Sequence, residues 1–281
     1  MLEYKNVFLQ GDKTSYRRVG NGKRKIVFFH GFPGSSAQIE FLTPYVEKLD
    51  LDVICIDRPG YNETVIDLVP QVQLATKLLS QLLDHLGWSE YELLSVSGGT
   101  PFLFNFADNH QDKIKKIIVV SGLGPIASKP FRKILSWNQM LMLKLAPIAP
   151  SGATKQMLPN ESKKYGKRSK LFNYFMPLSP KDQETMKDEL TKRIMFEAIQ
   201  EAFKQNGIGP KRDAQFYVKD WTSKLKNYQV ETQFWHGDED MVIPIEMAEK
   251  MSKIIPEAKF FAIKGEGHYS LSISSIDQVL G

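Results

Sequence analysis

Along the first third of the chain, apolar and polar positions switch between two periods. Residues 25–30 (KIVFFH) form a continuous apolar run of strand length, followed by a Gly/Pro turn and a helical stretch over 37–49. Residues 51–57 (LDVICID) predict a second strand, closed by Arg58, Pro59 and Gly60. Over 72–86 the apolar residues Ala75, Leu78, Leu79, Leu82, Leu83 and Leu86 share one helix face, and Gly87 ends that helix. Residues 91–96 predict a third strand, 101–107 a Phe-rich helix packed on the sheet, and 116–121 (KIIVVS) a fourth strand. Strands alternating with helices of this length imply a mostly parallel sheet with helices on both faces, because short crossovers join strands that run the same way. Residues 4–20, ending in the Asn21-Gly22 turn signal, read as antiparallel edge strands.

From about Pro125 the strand signal disappears. Met- and Leu-rich segments such as 134–145 and helical runs such as 180–203 follow, punctuated by Pro147, Pro150, Pro159 and Pro177. Strand character returns at 230–235, then a helix over 245–255 and a last strand over 258–263. This predicts a discontinuous α/β core, residues 1–124 and 230–281, carrying a helical insertion at 125–229.

The composition, 42% hydrophobic and 25% charged over 281 residues, is that of a globular chain and excludes disorder or a collagen-like repeat. No apolar run approaches the ~20 residues of a membrane span, and the first residues lack the basic and apolar regions of a signal peptide. The one cysteine, Cys55, lies in an apolar strand and reads as a buried structural thiol. These features lead to the expectation of a cytoplasmic protein. The net charge of +5 has one dense focus, Lys155, Lys163, Lys164, Lys167, Arg168 and Lys170, which reads as a solvated loop. No nucleic-acid recognition signature accompanies it, so no nucleic-acid partner is expected.

The chemistry gathers in turns after strands. Ser97, in Ser95-Val96-Ser97-Gly98-Gly99, follows the third parallel strand and precedes a helix, a turn that lifts a side chain into a cleft above a helix N-terminus. A serine at such a turn is more often a helix cap, and as a nucleophile it needs a base held by an acid. Of the five histidines, His85 and His110 belong to helices, as surface or capping residues. His268, in Gly265-Glu266-Gly267-His268 after the last strand, faces the ligand crevice of an open α/β sheet and is the best base candidate. The segment after the preceding strand, HGDEDMVIP, offers Asp238, Glu239 and Asp240, and spacing alone does not choose among them. His30-Gly31-Phe32-Pro33-Gly34 after the first parallel strand has a turn able to expose backbone N–H groups.

The order HGFPGS, DRPG, SVSGG, HGDEDMVIP and GEGH, with a helical segment before the acid, resembles the α/β-hydrolase superfamily over nearly the whole chain. Within it the chain is similar to the capped group of carboxylesterases, cofactor-free haloperoxidases, carbon–carbon bond hydrolases and proline iminopeptidases. The resemblance implies Ser97 as nucleophile, His268 as base and Asp240 as the acid, with Asp238 the second choice. It also implies an oxyanion hole from the backbone N–H groups of Phe32 and Gly98. His30 and His236 become supports of their turns, and Asp57 a residue that fixes its loop. The sequence departs from the family at Ser95, where the elbow usually begins with glycine, and leaves little room for a last helix after His268.

The implied activity is cleavage of a carboxylic ester with a small or medium apolar acyl group, on a small-molecule substrate, with no metal or organic cofactor. An aminopeptidase or carbon–carbon bond hydrolase on the same triad is the alternative; Glu161, Glu184 and Glu189 are the available carboxylates for a substrate amine. A non-catalytic ligand-binding protein is the remote one. In the insertion, Phe131, Trp137, Met140, Leu141, Met142, Phe172, Tyr174, Phe175 and Met176 are candidates for an apolar pocket, Trp137, Met140, Leu141, Phe172 and Phe175 foremost; at helical spacing such residues are more often internal packing. The assembly expected is a monomer or homodimer.

Overall fold

The strands are β1 (Lys5–Leu9), β2 (Asp12–Gly20), β3 (Arg24–Phe29), β4 (Leu51–Ile56), β5 (Tyr91–Val96), β6 (Ile114–Val120), β7 (Thr232–Gly237) and β8 (Lys259–Ile263). They come from a computed structural model that describes residues 3–145, 174, 176–226 and 228–281, apart from the side chains of 142–145, 223 and 224. They form one sheet in the order β1-β2-β4-β3-β5-β6-β7-β8. β1 and β2 are antiparallel and close one edge, while every pairing from β3–β4 to β7–β8 is parallel. The β1–β2 hairpin turns at Gln10 and Gly11, both with positive φ, so the hairpin lies inside the segment predicted to be edge strands. β3 pairs with both β4 and β5. The direction of winding reverses there, and the loops leaving β3 and β5 part to form a crevice at their carboxyl ends.

Alternation along the strands sends side chains to two cores. Ile26, Phe28, Val53, Cys55, Leu94 and Val96 pack on one face with Ile39, Leu42 and residues of the last two helices, α10 (His268–Ile273) and α11 (Ile276–Leu280). On the other face Val27, Phe29, Ile54 and Leu93 pack against α1 (Gln71–His85), α2 (Thr100–Ala107) and α9 (Glu246–Ser252). Each large aliphatic or aromatic side chain buried in this way contributes about 1.5–3 kcal/mol. The stretch predicted as a helix over 37–49 is a 3-10 helix, Ser36–Tyr45, with Pro44 inside it. A proline there lacks the N–H that an α-helix would need. Cys55 is buried, and burial pushes its thiol well above the usual range.

Between β6 and β7 the described residues contain helices and no strand. They are α3 (Lys129–Arg132), α4 (Trp137–Leu145), α5 (Pro180–Thr185), α6 (Glu189–Phe203), α7 (Ile208–Tyr217) and α8 (Thr222–Leu225). The basic cluster from Lys155 to Lys170 lies outside the described residues. α6 is fastened to the sheet by Arg17, which is fully buried. Its guanidinium donates to both carboxylate oxygens of Glu201, at 2.9 and 3.0 Å, and to Glu197 at 2.6 Å. α7 is held by Asp213, which accepts from Arg58 at 2.7 Å, Tyr61 at 2.6 Å and Gln71 at 3.0 Å.

Asp57 stands beside this junction. Its carboxylate accepts the Ser36 N–H at 2.6 Å and the Asn62 amide at 3.2 Å, which fixes the loop after β4 to the 3-10 helix. Burial, reinforced by the Glu201 carboxylate, pushes its carboxyl up to about 7 against the Ser36 hydrogen bond and the Arg17 charge. A carboxyl whose folded value is raised lends stability that is complete below its unfolded value and is lost as pH rises through the folded one. Asp57→Asn is therefore expected to flatten the fall in unfolding free energy between pH 5 and pH 8 by on the order of 2 kcal/mol. Urea titrations at the two pH values check this, and equal slopes in both proteins would refute it.

Candidate active site

β5 ends at Val96, and Ser97 follows with φ +50°, the left-handed region that a residue with a Cβ enters at a cost of order 1–3 kcal/mol. The two glycines after it let the turn pack closely against its neighbours. A Cβ on Gly99 would lie 2.2 Å from the Phe29 carbonyl oxygen, and one on Gly98 would lie 2.7 Å from both Phe32 Cβ and Tyr217 Oη. Ser95, standing where the family usually has glycine, is buried with its hydroxyl 3.1 Å from that of Thr100, so the extra polar atom has a partner.

His268 opens α10, directly after Gly265 and Gly267. Its Nε2 lies 3.0 Å from Ser97 Oγ and its Nδ1 lies 2.7 Å from Asp240 Oδ2. The Asp240 side chain is fully buried. Oδ1 accepts the N–H groups of Val242 and Ile243, both at 2.8 Å, so the carboxylate is fixed by its own turn. Burial opposes its charge, but His268 and His236 hold its carboxyl well below the usual carboxylate range. An anion facing Nδ1 keeps the imidazole proton on that nitrogen and leaves the Nε2 lone pair toward the serine hydroxyl. The other two carboxylates of the segment point elsewhere. Asp238 is exposed and accepts the Gly265 N–H at 2.6 Å, and Glu239 is exposed.

His236, expected as a support of its turn, also joins this group. His236 Nε2 lies 3.1 Å from Asp240 Oδ2 and 2.8 Å from the Ile243 carbonyl. His236 thus ties both ends of the acid loop. His30 is buried, with Nδ1 3.0 Å from the Gly31 carbonyl; burial and then the Arg58 charge hold it well below its usual value, and it stays neutral. Arg58 donates to the carbonyls of His30 at 2.7 Å and Gly31 at 3.2 Å, which gives both oxygens a partner in the turn. Phe32 packs edge-on against Tyr217, whose hydroxyl donates to the Gly98 carbonyl at 2.9 Å. Phe32 and Gly98 therefore face each other across the turn that holds Ser97. His110 sits at a helix end, its Nδ1 2.7 Å from the Phe106 carbonyl.

Two apolar clefts meet at Ser97. One, bounded also by His268, is lined by Phe32, Phe41, Leu42, Met195 and Tyr269. The other is lined by Leu123, Leu135, Met176, Tyr217 and Ile243. Of the pocket residues expected from the sequence, those foremost ones that are described lie outside these clefts. Trp137 is 73% exposed, Met140 packs into the main core and Leu141 is half-buried, and none of the three lines either cleft. Gln139 Nε2 bonds the Val242 carbonyl at 2.6 Å, and this sets the face that α4 turns inward. Phe131 is buried core and Tyr174 is exposed, while Met176 does line a cleft. Phe172 and Phe175 lie outside the described residues, as does the Met142 side chain. Met195 and Tyr217 were missed because each sits in an amphipathic helix whose partner only the fold supplies. Glu184 and Glu189 are exposed, and Glu161 lies outside the described residues. Among the described residues, no cluster of His, Cys, Asp and Glu has the makings of a metal site, and no helix is long and apolar enough to cross a membrane.

Residues 25–273 match the alpha/beta hydrolase fold family, and the chain belongs to it. It is a member of a family of hydrolases. It is 23% identical over 263 residues to a 2-hydroxy-6-oxo-6-phenylhexa-2,4-dienoate hydrolase of Comamonas testosteroni, covering 91% of this chain and 84% of that one. It is 27% identical to a poly(3-hydroxyalkanoate) depolymerase of Ectopseudomonas oleovorans over 109 residues, which span 38% of each protein. Among solved structures, an esterase from Exiguobacterium antarcticum superposes with a TM-score of 0.71 at 16% identity, covering 100% of both chains.

Proposed function

We propose that the protein is a serine hydrolase that cleaves carboxylic esters of small or medium apolar acyl groups through an acyl-enzyme. The observation that carries this reading is the run Ser97 Oγ, His268, Asp240, with links of 3.0 and 2.7 Å, at the crevice where two apolar clefts meet. His268 Nε2 takes the Ser97 proton as Oγ attacks the acyl carbonyl, and the Phe32 and Gly98 amides hold the oxyanion. The tetrahedral adduct collapses with loss of the alcohol, which leaves with the proton returned by His268. Water, deprotonated by the same nitrogen, then releases the acid, and Asp240 stabilises the imidazolium in both halves. Residues 125–229 act as a cap, contributing Met195 to one cleft and Leu135, Met176 and Tyr217 to the other. The lone buried thiol, Cys55, fits a reducing cytoplasm.

The test is labelling with a fluorophosphonate, which phosphonylates an activated serine with loss of fluoride, followed by peptide mapping and a series of p-nitrophenyl esters from acetate to decanoate. Adduct at Ser97 with hydrolysis that varies with chain length is expected. Folded protein that takes no label at Ser97 would sink the reading. A second reading, carbon–carbon bond hydrolysis, is favoured by the Comamonas testosteroni relative, whose match covers 91% of the chain. Adduct at Ser97 without ester turnover, together with cleavage of a vinylogous 1,5-diketone, would select it. Among the described residues, Glu184 and Glu189 line neither cleft at Ser97, so neither is placed to receive the substrate amine of an aminopeptidase, and Glu161 lies outside the described residues.

A further inference from the structure

His268 is positioned from two sides. Asp240 holds the imidazole, and a second carboxylate, from the helical segment between β6 and β7, holds the main chain. Asp182 of α5 is fully buried, and its oxygens accept three successive amides at the start of α10: His268 at 3.1 Å, Tyr269 at 2.8 Å and Ser270 at 2.8 Å. The first N–H groups of a helix have no partner within it, and a carboxylate is the strongest acceptor they can be given. Asp182 also closes a capping box with Ser179 at the head of its own helix, so its rotamer is fixed from both ends.

The chain around this contact is shaped to admit it. A Cβ on Gly267 would lie 2.2 Å from Ser179 Oγ and 2.4 Å from Asp182 Oδ2, so α5 can approach the residue before His268 only because that residue is glycine. Lys181 pairs with buried Glu266, and Thr185 Oγ1 lies 3.0 Å from Ser274 Oγ, so bonds flank the Asp182 contact on both sides.

We propose that Asp182 is a positioning residue for His268: by capping α10 it fixes the main chain from which the imidazole reaches Ser97, so that the segment between β6 and β7 completes the hydrolytic site. This rests on the serine-hydrolase reading above. Base catalysis depends on placement to a fraction of an ångström, and a shift of about 1 Å can cost on the order of a hundredfold in rate. The clefts, by contrast, receive no side chain from Asp182, so substrate affinity is not its business.

The experiment compares Asp182→Ala, Asp182→Asn and Thr185→Ala with the unaltered chain, well below their melting temperatures. It measures the rate of fluorophosphonate labelling at Ser97 and kcat and KM for a p-nitrophenyl ester. For Asp182→Ala, labelling and kcat are expected to fall about ten- to a hundredfold with KM within about threefold. Asp182→Asn, which keeps one acceptor oxygen and the volume, is expected to recover part of kcat and covers the case in which the alanine variant does not fold. Thr185→Ala loosens the same pair of helices without touching the His268 amide, so it is expected to lower the melting temperature and leave kcat unchanged. Folded Asp182 variants with unaltered labelling and kcat would overturn the proposal. So would a Thr185→Ala loss as large as that of Asp182→Asn, which would trace the effect to general docking. If the unaltered chain takes no label at Ser97, the serine-hydrolase reading itself fails, a result distinct from either of these.

Discussion

Ser97→Ala is expected to abolish fluorophosphonate labelling and to lower kcat by roughly 10⁴- to 10⁶-fold while leaving a folded protein. The size follows from what the hydroxyl supplies. Without Oγ no acyl-enzyme forms, and the amides of Phe32 and Gly98 and the two clefts are left to bind the ester and polarise its carbonyl. Stability is expected to change little, because alanine meets the same positive φ at this position and the hydroxyl's side-chain partner is His268 Nε2. The pairing of lost turnover with a melting temperature within a few degrees of the unaltered chain separates a reacting group from a helix cap. Turnover within tenfold of normal would remove Ser97 from the reaction.

Much of the sheet was legible because a buried parallel strand writes its whole length in apolar residues. Tyr91–Val96 is the strand expected, the helix expected over 72–86 is Gln71–His85, and Gly87 beyond it has positive φ. Local signals that compete are harder to rank. The helical run expected over 180–203 is two helices, since Asp188 caps the second by accepting the Thr191 N–H at 2.7 Å. The last helix, for which there was little room, is present as the short pair His268–Ile273 and Ile276–Leu280.

Site legibility divides along the same line. Ser97 and His268 stand in glycine-containing turns that follow strands, and a parallel sheet carries such turns to one edge. The choice among Asp238, Glu239 and Asp240 is different: one turn holds all three, and only the resemblance pointed to Asp240. Their directions depend on partners in space, the Gly265 amide for Asp238 and two histidines for Asp240. The clefts were least legible. Arg17 meets Glu201 and Arg58 meets Asp213 across 184 and 155 residues of sequence, and those pairs decide which faces of α6 and α7 look down on the site. No periodicity within a helix reports a partner that distant.

Asp240→Asn is expected to lower kcat about 10⁴-fold with the fold retained. An asparagine oxygen at Oδ1 still accepts the Val242 and Ile243 amides, so its NH₂ must take the place of Oδ2. There it donates to His268 Nδ1 and forces the imidazole proton onto Nε2, so that a donor rather than a lone pair faces Ser97. The same NH₂ meets His236 Nε2, which already serves the Ile243 carbonyl as a donor. Moving the His236 proton to Nδ1 would relieve that clash but leave the carbonyl without its bond, so the variant is also expected to melt lower, by on the order of 1–3 kcal/mol of lost stability. Asp238→Asn is the control: its carboxylate is exposed and accepts the Gly265 amide, which an asparagine oxygen can accept equally well. Measured side by side on one p-nitrophenyl ester, a large loss for Asp240→Asn with near-normal turnover for Asp238→Asn assigns the acid to Asp240. The reverse pattern would require His268 to swing toward the exposed carboxylate when substrate is bound, and the distances around Asp240 would then describe a resting arrangement rather than the reacting one.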